Sequence, residues 1–388
     1  LDILRNNTLT FLHISDGLSA TQVQVVVPKS SCPSVPVGCA VSIKGQWQPS
    51  SGSQQDMEVL ANECKVLATD VEPRYSSLSP DHLRKSVHLR TRSPAFAALL
   101  RLRSRLLSMT HDYFASRGYV HIDTPMITLN DCEGAGETTS STSEEFFDKK
   151  DVYLSVSGQL HLEAMVSGIS QVYTISTGLR ADKQQSRNHL TEFKMLEAEL
   201  SFCDHTLIHS IMLLIFILLG FGNFTNIQGY LESLRCIADG PQFPRVPYAD
   251  ALQLLIDKNQ KVTGRGFNKQ NEMFLVVTTT LPFLSPIFLL IRTRVFSFVL
   301  LYSFQTESFD LICPVVGELA GGSIREPSIE VLRKRTPVID WYSELRERGK
   351  PISGGFGMGF ERLLQVLLGV QNIKDTIPFP RWYKHCQC

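Results

Sequence analysis

The sequence predicts an α+β protein of two domains: a small all-β domain, then a larger one mixing antiparallel strands with amphipathic helices. Three observations carry this. Residues 1 to about 72 hold short apolar runs separated by turn signals, with no strong helical period. Residues 171 to 200 read as two strands joined by a polar tip. Residues 354 to 368 pass from a segment with glycine at every second position, Gly355, Gly357 and Gly359, into a helix with apolar residues at Phe360, Leu363, Leu364, Leu367 and Leu368. A chain of 388 residues is long enough for two cores.

Bulk composition narrows the function classes. The 38 basic and 38 acidic residues cancel, so a nucleic-acid surface must be local rather than a property of the whole field. Nine cysteines, an odd number with no C-x-x-C, argue against a disulfide framework or a structural zinc and for a reducing compartment. The chain begins at Leu1 with no signal or transit peptide in view, and a start further upstream is expected. Two segments are strongly apolar. Leu207 to Phe224 has an apolar core, Ile211 to Leu219, shorter than the ~20 residues of a membrane span. Met273 to Phe304 is interrupted by Pro282, Pro286, Arg292 and Arg294. No membrane partner is expected.

In chain order, Phe11 to Ser15, a turn at Asp16-Gly17, Val23 to Val27, Val35 to Gly45, Glu58 to Leu60 and Cys64 to Leu67 form a set of short strands. They suit a small barrel of the OB type over 1–72, with a small β-sandwich as the alternative. Residues 73–94 read as a linker carrying Pro73, Ser76, Ser77, Pro80 and Pro94, and 95–388 as the second domain. Seven Lys/Arg and no acid lie between Arg84 and Arg105, either a strip for phosphates or a solvated helix face. An amphipathic helix covers 95–117, capped by Gly118. A strand from Tyr119 ends at Thr124-Pro125, and the loop Asn130 to Glu137 carries Glu133 and Glu137. Such a loop can close on a ligand or simply be solvated.

The middle of the chain concentrates chemistry. Gln159 follows Ser157-Gly158 at a strand end. In the hairpin of 171–200, period two places His189, Thr191, Phe193, Met195, Glu197 and Glu199 on one face, with Arg180 and Asp182 together on the partner strand. Such a face is not a dry core unless its charges pair. Arginine neutralises phosphate, phenylalanine stacks a base, and glutamate holds an ammonium or a metal. Residues 305–326 read as another charged strand, in which Asp310 and Glu318 are hard oxygen ligands of the kind Mg²⁺ takes with phosphates. Gly321 and Gly322 permit close approach, Arg325 follows, and 333–349 reads as one polar helix. The glycine strand offers a flat ligand its backbone, and a helix start with Arg362 favours an anion. Together these suggest a nucleotide with phosphates; a glycine-rich turn into a core helix is the plainer alternative.

Taken together, the hairpin and the glycine strand resemble a class II aminoacyl-tRNA synthetase. The helix, strand and Pro125 are similar to motif 1 of that class, the dimer element. Arg180 to Glu199 resembles motif 2, and Gly355 to Arg362 resembles motif 3. With the OB-type N-domain, this suggests the aspartate/asparagine/lysine subgroup. Asp131 to Glu137, Val156 to Leu160, Ser186 to Phe193, Gly317-Glu318 with Gly321 to Glu326, and Ile377 to Arg381 look like the asparaginyl members, of the bacterial and mitochondrial branch.

The resemblance implies a class II synthetase domain built on an antiparallel sheet flanked by helices. It implies a homodimer, with ATP, Mg²⁺, L-asparagine and tRNA(Asn) as substrates and partners, in the mitochondrial matrix or a bacterial-type cytoplasm. It implies that Arg180 holds the α-phosphate, and His189 and Arg362 the γ-phosphate. Phe193 stacks under adenine, with Arg362 over it, beside Gly357 and Gly359. Asp310 and Glu318 bind Mg²⁺, and Arg180, Asp182 and Arg362 form the catalytic set. Glu197 and Gln159 take the substrate ammonium and Arg325 the side-chain amide oxygen. Gly322, Ser323 and Glu133 line the same pocket, while Phe11 and Gln24 meet anticodon bases. Three features depart from the family: Asp182 stands where glutamate is usual, 276–304 lack the usual aromatic-basic pattern, and the loop between Glu137 and Glu144 is compressed. They leave open a synthetase-like protein of impaired catalysis that binds tRNA or a protein.

Overall fold

The structure, a computed structural model, describes residues 3–5, 8–52, 55–69, 79–129, 147, 152–181, 183, 185–203, 245–262, 267–279, 289–292, 308–313, 315–335 and 339–388. It divides into two compact units, Leu1–Leu102 with Cys388, and Arg103–Gln387.

The first unit is built on five strands, β1 (Ile3–Arg5), β2 (Leu9–Ile14), β3 (Val23–Pro28), β4 (Ala40–Pro49) and β5 (Met57–Ala68). They order as β1-β2-β3-β5-β4, antiparallel except for the parallel β3–β5 pair. This is the arrangement of an OB-type sheet. Alternation sorts the faces: Leu12, Val25, Val27 and Ala61 enter a core with Val35 and Cys39. Asp16 makes the predicted turn, its carboxylate accepting from the Leu18 amide at 2.9 Å, with Gly17 at φ +79°. The strand expected from Val35 starts instead at Ala40, after Pro36 and a Gly38 at φ +88° that suit a turn rather than a ladder.

Pro80 and Pro94 open helices rather than mark irregular chain: α1 (Pro80–Lys85), capped by Ser79, and α2 (Pro94–Ser116), with a 3₁₀ turn over Val87–Arg92 between them. The basic strip does not form one phosphate-facing surface. Arg90 is buried under the Phe96 ring at 3.9 Å, Arg101 donates to the Gly17 carbonyl at 2.6 Å, and Arg84 pairs with Asp81.

The second unit is organised by an eight-stranded sheet. Its strands are β6 (Val120–His121), β9 (Gln171–Leu179), β10 (Glu192–Ser201), β11 (Arg245–Pro247), β12 (Leu289–Arg292), β13 (Ser308–Cys313), β14 (Gly317–Ile324) and β15 (Ser353–Gly359). The order is β11-β12-β13-β14-β15-β10-β9-β6, antiparallel from β12 to β9 and parallel only at its two edges. A separate pair, β7 (Ile127–Thr128) and β8 (Tyr153–Leu154), precedes α3 (Gln159–Met165).

Helices cover one face. Phe114 of α2 stacks on Tyr173 of β9 at 4.4 Å, and α8 (Phe360–Leu368) buries Phe360, Leu363, Leu364 and Leu367. Arg103 of α2 reaches Glu361 of α8 at 2.6 Å, and the Lys194 amide donates to the same carboxylate at 2.9 Å. Both members of the ion pair are buried. Against β13, α4 (Tyr248–Asp257) and α5 (Lys269–Thr279) pack in a core of Ala251, Leu255, Leu275, Val276 and Ile312.

Several expectations change. The charged strand of 305–326 is a hairpin, β13 and β14, turning where Val315 and Gly317 adopt positive φ. The polar helix of 333–349 is two helices, α6 (Ile329–Arg335) and α7 (Asp340–Glu347). The second strand of the hairpin starts at Glu192 rather than His189, because the Thr191 amide donates to the Arg381 carbonyl at 2.8 Å instead of joining the ladder. Of the two apolar segments, 207–224 lies outside the described residues. In the other, 273–279 end α5 and 289–292 form β12, paired antiparallel with β13. No helix among the described residues is long and apolar enough to cross a membrane. Cys32, Cys39, Cys64, Cys313 and Cys386 are free thiols.

Candidate active site

The face of the sheet opposite α2 and α8, on which α3 packs Leu162 and, just past its end, Val166 against Val172, gathers the predicted residues. In β10, Phe193, Met195, Glu197 and Glu199 alternate onto it, opposite Gly178, Ser176, Thr174 and Val172 of β9. From Phe193 to Glu199 is six steps of a strand, about 20 Å, so the row can span a long ligand.

At one end Arg180 lies over the Phe193 ring, 5.4 Å from its centre. The Arg180 amide donates to the Thr191 carbonyl at 2.8 Å, which continues the hairpin beyond β9. His189 faces Ser186, Nδ1 to Oγ 2.5 Å. Ile373 and Arg381 of the C-terminal segment bond the backbone of Arg187 and Thr191, so the tail fastens the hairpin tip. Arg362, in the first turn of α8, donates to the Glu318 carbonyl at 2.8 Å and lies 4.0 Å from the Glu318 carboxylate. Glu272 of α5 accepts from the Glu318 amide at 3.1 Å; burial pushes its carboxyl up from the ordinary range, against that hydrogen bond.

Asp310 and Glu318 converge across Gly321. A β-carbon at 321 would lie 3.3 Å from a carboxylate oxygen of each. Glycine there leaves the gap between two acids open. Among the described residues no cluster of three or more His, Cys, Asp and Glu gathers as a metal site. Two carboxylates nevertheless suit Mg²⁺, which keeps most of its shell for water and phosphate.

In the middle, Glu197 is buried and aimed by its neighbours. It accepts from Ser157 Oγ, from the Gly158 amide at 2.8 Å and from Ser176 Oγ at 3.5 Å. At the far end Arg325 is gripped by Glu199, Nη2–Oε2 2.7 Å and Nε–Oε1 3.0 Å, and donates from Nη1 to Ser323 Oγ at 3.0 Å. The Gln159 amide rests against the same guanidinium, its oxygen as acceptor. Burial opposes the charge on Arg325, but the Glu199 carboxylate more than offsets it and holds the guanidinium protonated.

The glycines of β15 differ in purpose. A β-carbon at Gly355 would fall on the Glu199 carboxylate and 2.6 Å from Arg325 Nη2, so this glycine houses an ion pair rather than a flat ligand. At Gly357 the nearest atom would be Met195 Cε at 3.0 Å, and at Gly359 only Arg362 carbons at 3.7–3.8 Å. Gly322 packs its open side against the Phe309 ring.

The structure therefore brings together Arg180, His189, Phe193, Arg362, Asp310, Glu318, Glu197, Gln159, Ser323 and Arg325 on one sheet face or its rim. Glu133 and Asp182 lie outside the described residues. In the first unit Phe11 alternates with the inward Thr10 and Leu12, and Gln24 is held by the buried Glu58, Nε2–Oε2 2.8 Å. Sequence reasoning did not assign Glu199, although it stands two residues after Glu197 on the same face. It missed Glu163, Ser353 and Lys350 outright. Glu163 had a weak signal, a carboxylate amid apolar neighbours in Leu160 to Met165; Lys350 had none.

Known proteins share this architecture and sequence. The family model for class II tRNA synthetases (D, K and N) matches residues 79–383. The asparaginyl-tRNA synthetase of Mus musculus is 35% identical, over 97% of this chain and 87% of that protein. A probable mitochondrial asparagine–tRNA ligase of Dictyostelium discoideum is 32% identical, over 100% of this chain and 92% of its own length. The crystal structure of asparaginyl-tRNA synthetase from Pyrococcus horikoshii, complexed with asparaginyl-adenylate, superposes with a TM-score of 0.82 at 24% identity, covering 98% of this chain and 92% of that one, a likeness of fold.

Proposed function

This chain belongs to the class II tRNA synthetases of the D, K and N type, and we propose that its reaction is the ATP-dependent joining of asparagine to tRNA(Asn). A carboxylate oxygen of asparagine attacks the α-phosphorus of ATP, and the bond to the β-phosphate oxygen breaks to release pyrophosphate. A hydroxyl of the tRNA's terminal ribose then attacks the carbonyl of the adenylate, and AMP leaves. Neither step needs a protein nucleophile; both need positioning and charge neutralisation.

The observation that best supports this reading is the order of side chains along β10. An aromatic ring with Arg180 stands at one end, a buried carboxylate at Glu197, and a clamped guanidinium at Arg325. That order suits adenine, phosphate, ammonium and side-chain amide in turn. Phe193 stacks the base, with Arg362 over it beside Gly357 and Gly359. Arg180 takes the α-phosphate, His189 and Arg362 the γ-phosphate. Glu197 and Gln159 receive the ammonium, Arg325 the amide oxygen, with Gly322 and Ser323 at the pocket wall; Glu133 and Asp182 complete the set. Asp310 and Glu318 would hold Mg²⁺, which when bound neutralises phosphate charge.

The first 72 residues serve as the anticodon-binding domain, through Phe11 and Gln24, with 73–94 as linker and 95–388 as catalytic domain. The protein works as a homodimer. Exposed Val120, Met126, Ile127, Leu129 and Met165, around the element resembling motif 1, support a second copy covering them. The mitochondrial matrix is its compartment, in line with the name of the Dictyostelium relative. ATP–pyrophosphate exchange tests the reaction. Exchange is expected with asparagine and weak with aspartate; folded protein giving none, or preferring aspartate, overturns the reading.

A further inference from the structure

Behind the Glu199–Arg325 pair lies a second charged group that the reaction above does not use. Glu163 of α3 accepts from Arg346 Nη2 at 2.5 Å and from the Tyr342 hydroxyl at 2.6 Å, and Lys350 Nζ lies 3.3 Å away. Side-chain exposure is 1% for Glu163, 3% for Arg346 and 4% for Lys350. Arg346 already answers the charge of Glu163, so a second buried cation is not required there.

Lys350 makes its shortest contact elsewhere. Its Nζ is 2.6 Å from Ser353 Oγ, and Ser353 Oγ is 2.9 Å from Glu199 Oε1. An ammonium has donors only. Ser353 must therefore accept from Lys350, which turns its single hydroxyl proton toward Glu199. Glu199 Oε1 then receives Ser353 and Arg325 Nε, while Oε2 receives Arg325 Nη2. A carboxylate held at both oxygens cannot swing, and neither can the guanidinium that it grips.

We infer that Lys350 is a positioning residue for the amino-acid pocket, acting through the Ser353 hydroxyl on Glu199 and so on the orientation of Arg325. It touches no substrate itself. The inference rests on the reading of Arg325 as the asparagine side-chain ligand.

The test is pyrophosphate exchange by the full chain with asparagine and ATP varied separately. Lys350→Met removes the donor at similar length, and Ser353→Ala removes the relay without touching a charge. Each is expected to raise the asparagine KM about tenfold, the worth of one charge-assisted hydrogen bond, with the ATP KM unchanged. The double variant is expected to be no worse than the poorer single, because both break one chain of contacts. Ser353→Ala keeps the test decisive if the lysine variant fails to fold. Variants with an unchanged asparagine KM, or with both KM values raised alike, overturn the inference alone, as does an additive double variant. A wild type inactive with asparagine overturns it together with the reading beneath it.

Discussion

Glu199 and Arg325 meet across Gly355, where any β-carbon would strike both of them. The glycine is thus part of the proposed amino-acid pocket although it has no side chain. Gly355→Ala is expected to destabilise by about 1–3 kcal/mol and to abolish asparagine-dependent exchange. Gly359→Ala, whose β-carbon meets only flexible Arg362 carbons, is expected to shift stability by less than about 1 kcal/mol. Urea melts and exchange assays on the pair check this.

Arg103 and Glu361 couple α2 to the helix that carries Arg362. Burial pushes the Glu361 carboxyl up, and Arg103 pulls it back. Removing one partner strands the other charge in the core. Arg103→Met is expected to cost about 3–5 kcal/mol, while Arg103→Met with Glu361→Leu should cost less than the two single changes summed. Chemical denaturation of the three variants measures it.

Asp310 and Glu318 flank the gap left by Gly321. Asp310→Asn keeps the shape and removes one anionic ligand. The Mg²⁺ concentration for half-maximal exchange is expected to rise several-fold, with the asparagine KM little changed. An unaltered Mg²⁺ dependence would count against this pair as the metal ligands.

Phe11 projects from the sheet opposite the core residues Thr10 and Leu12. Phe11→Ala is expected to weaken tRNA(Asn) binding by about 1–3 kcal/mol, the range for one stacked base, and to leave pyrophosphate exchange intact. Filter binding and exchange, measured on one preparation, separate the two.

Burial holds the His161 imidazole below its ordinary range, and its Nδ1 is sequestered without a hydrogen bond. The unfolded chain therefore takes up this proton at higher pH than the folded protein. The contribution to stability is complete above the ordinary histidine value, near 6.5, and is lost as pH falls through it toward the lower folded value. The slope for this one group is at most about 1.4 kcal/mol per pH unit. His161→Phe is expected to reduce the fall in Tm between about pH 7.5 and 6.0.

Much of the site was legible because strand period and residue chemistry are local. Phe193, Glu197 and Glu199 alternate onto one face whatever the rest of the chain does, and Gly359 followed by Phe360 to Leu368 marks a strand entering a helix. Other features were not. His189 to Thr191 read as strand, yet Thr191 gives its amide to Arg381, nearly two hundred positions away. Arg103 read as part of a solvent-facing or phosphate-facing strip, yet it is buried against Glu361. The spacing of lysines and arginines does not say which of them find a carboxylate.

By itself the sequence determined the two-part α+β plan, the β9–β10 hairpin, the glycine strand with its helix, and the cations and carboxylates that share a face. These follow from periods of 2 and 3.6 and from the conformations open to glycine and proline. Only the tertiary structure decided that Gly355 makes room for an ion pair, that Gly321 separates two acids, and that Lys350 reaches Glu199 through Ser353. Each of these joins groups from different elements, and the energy of a buried charge depends on which partners the fold carries to it.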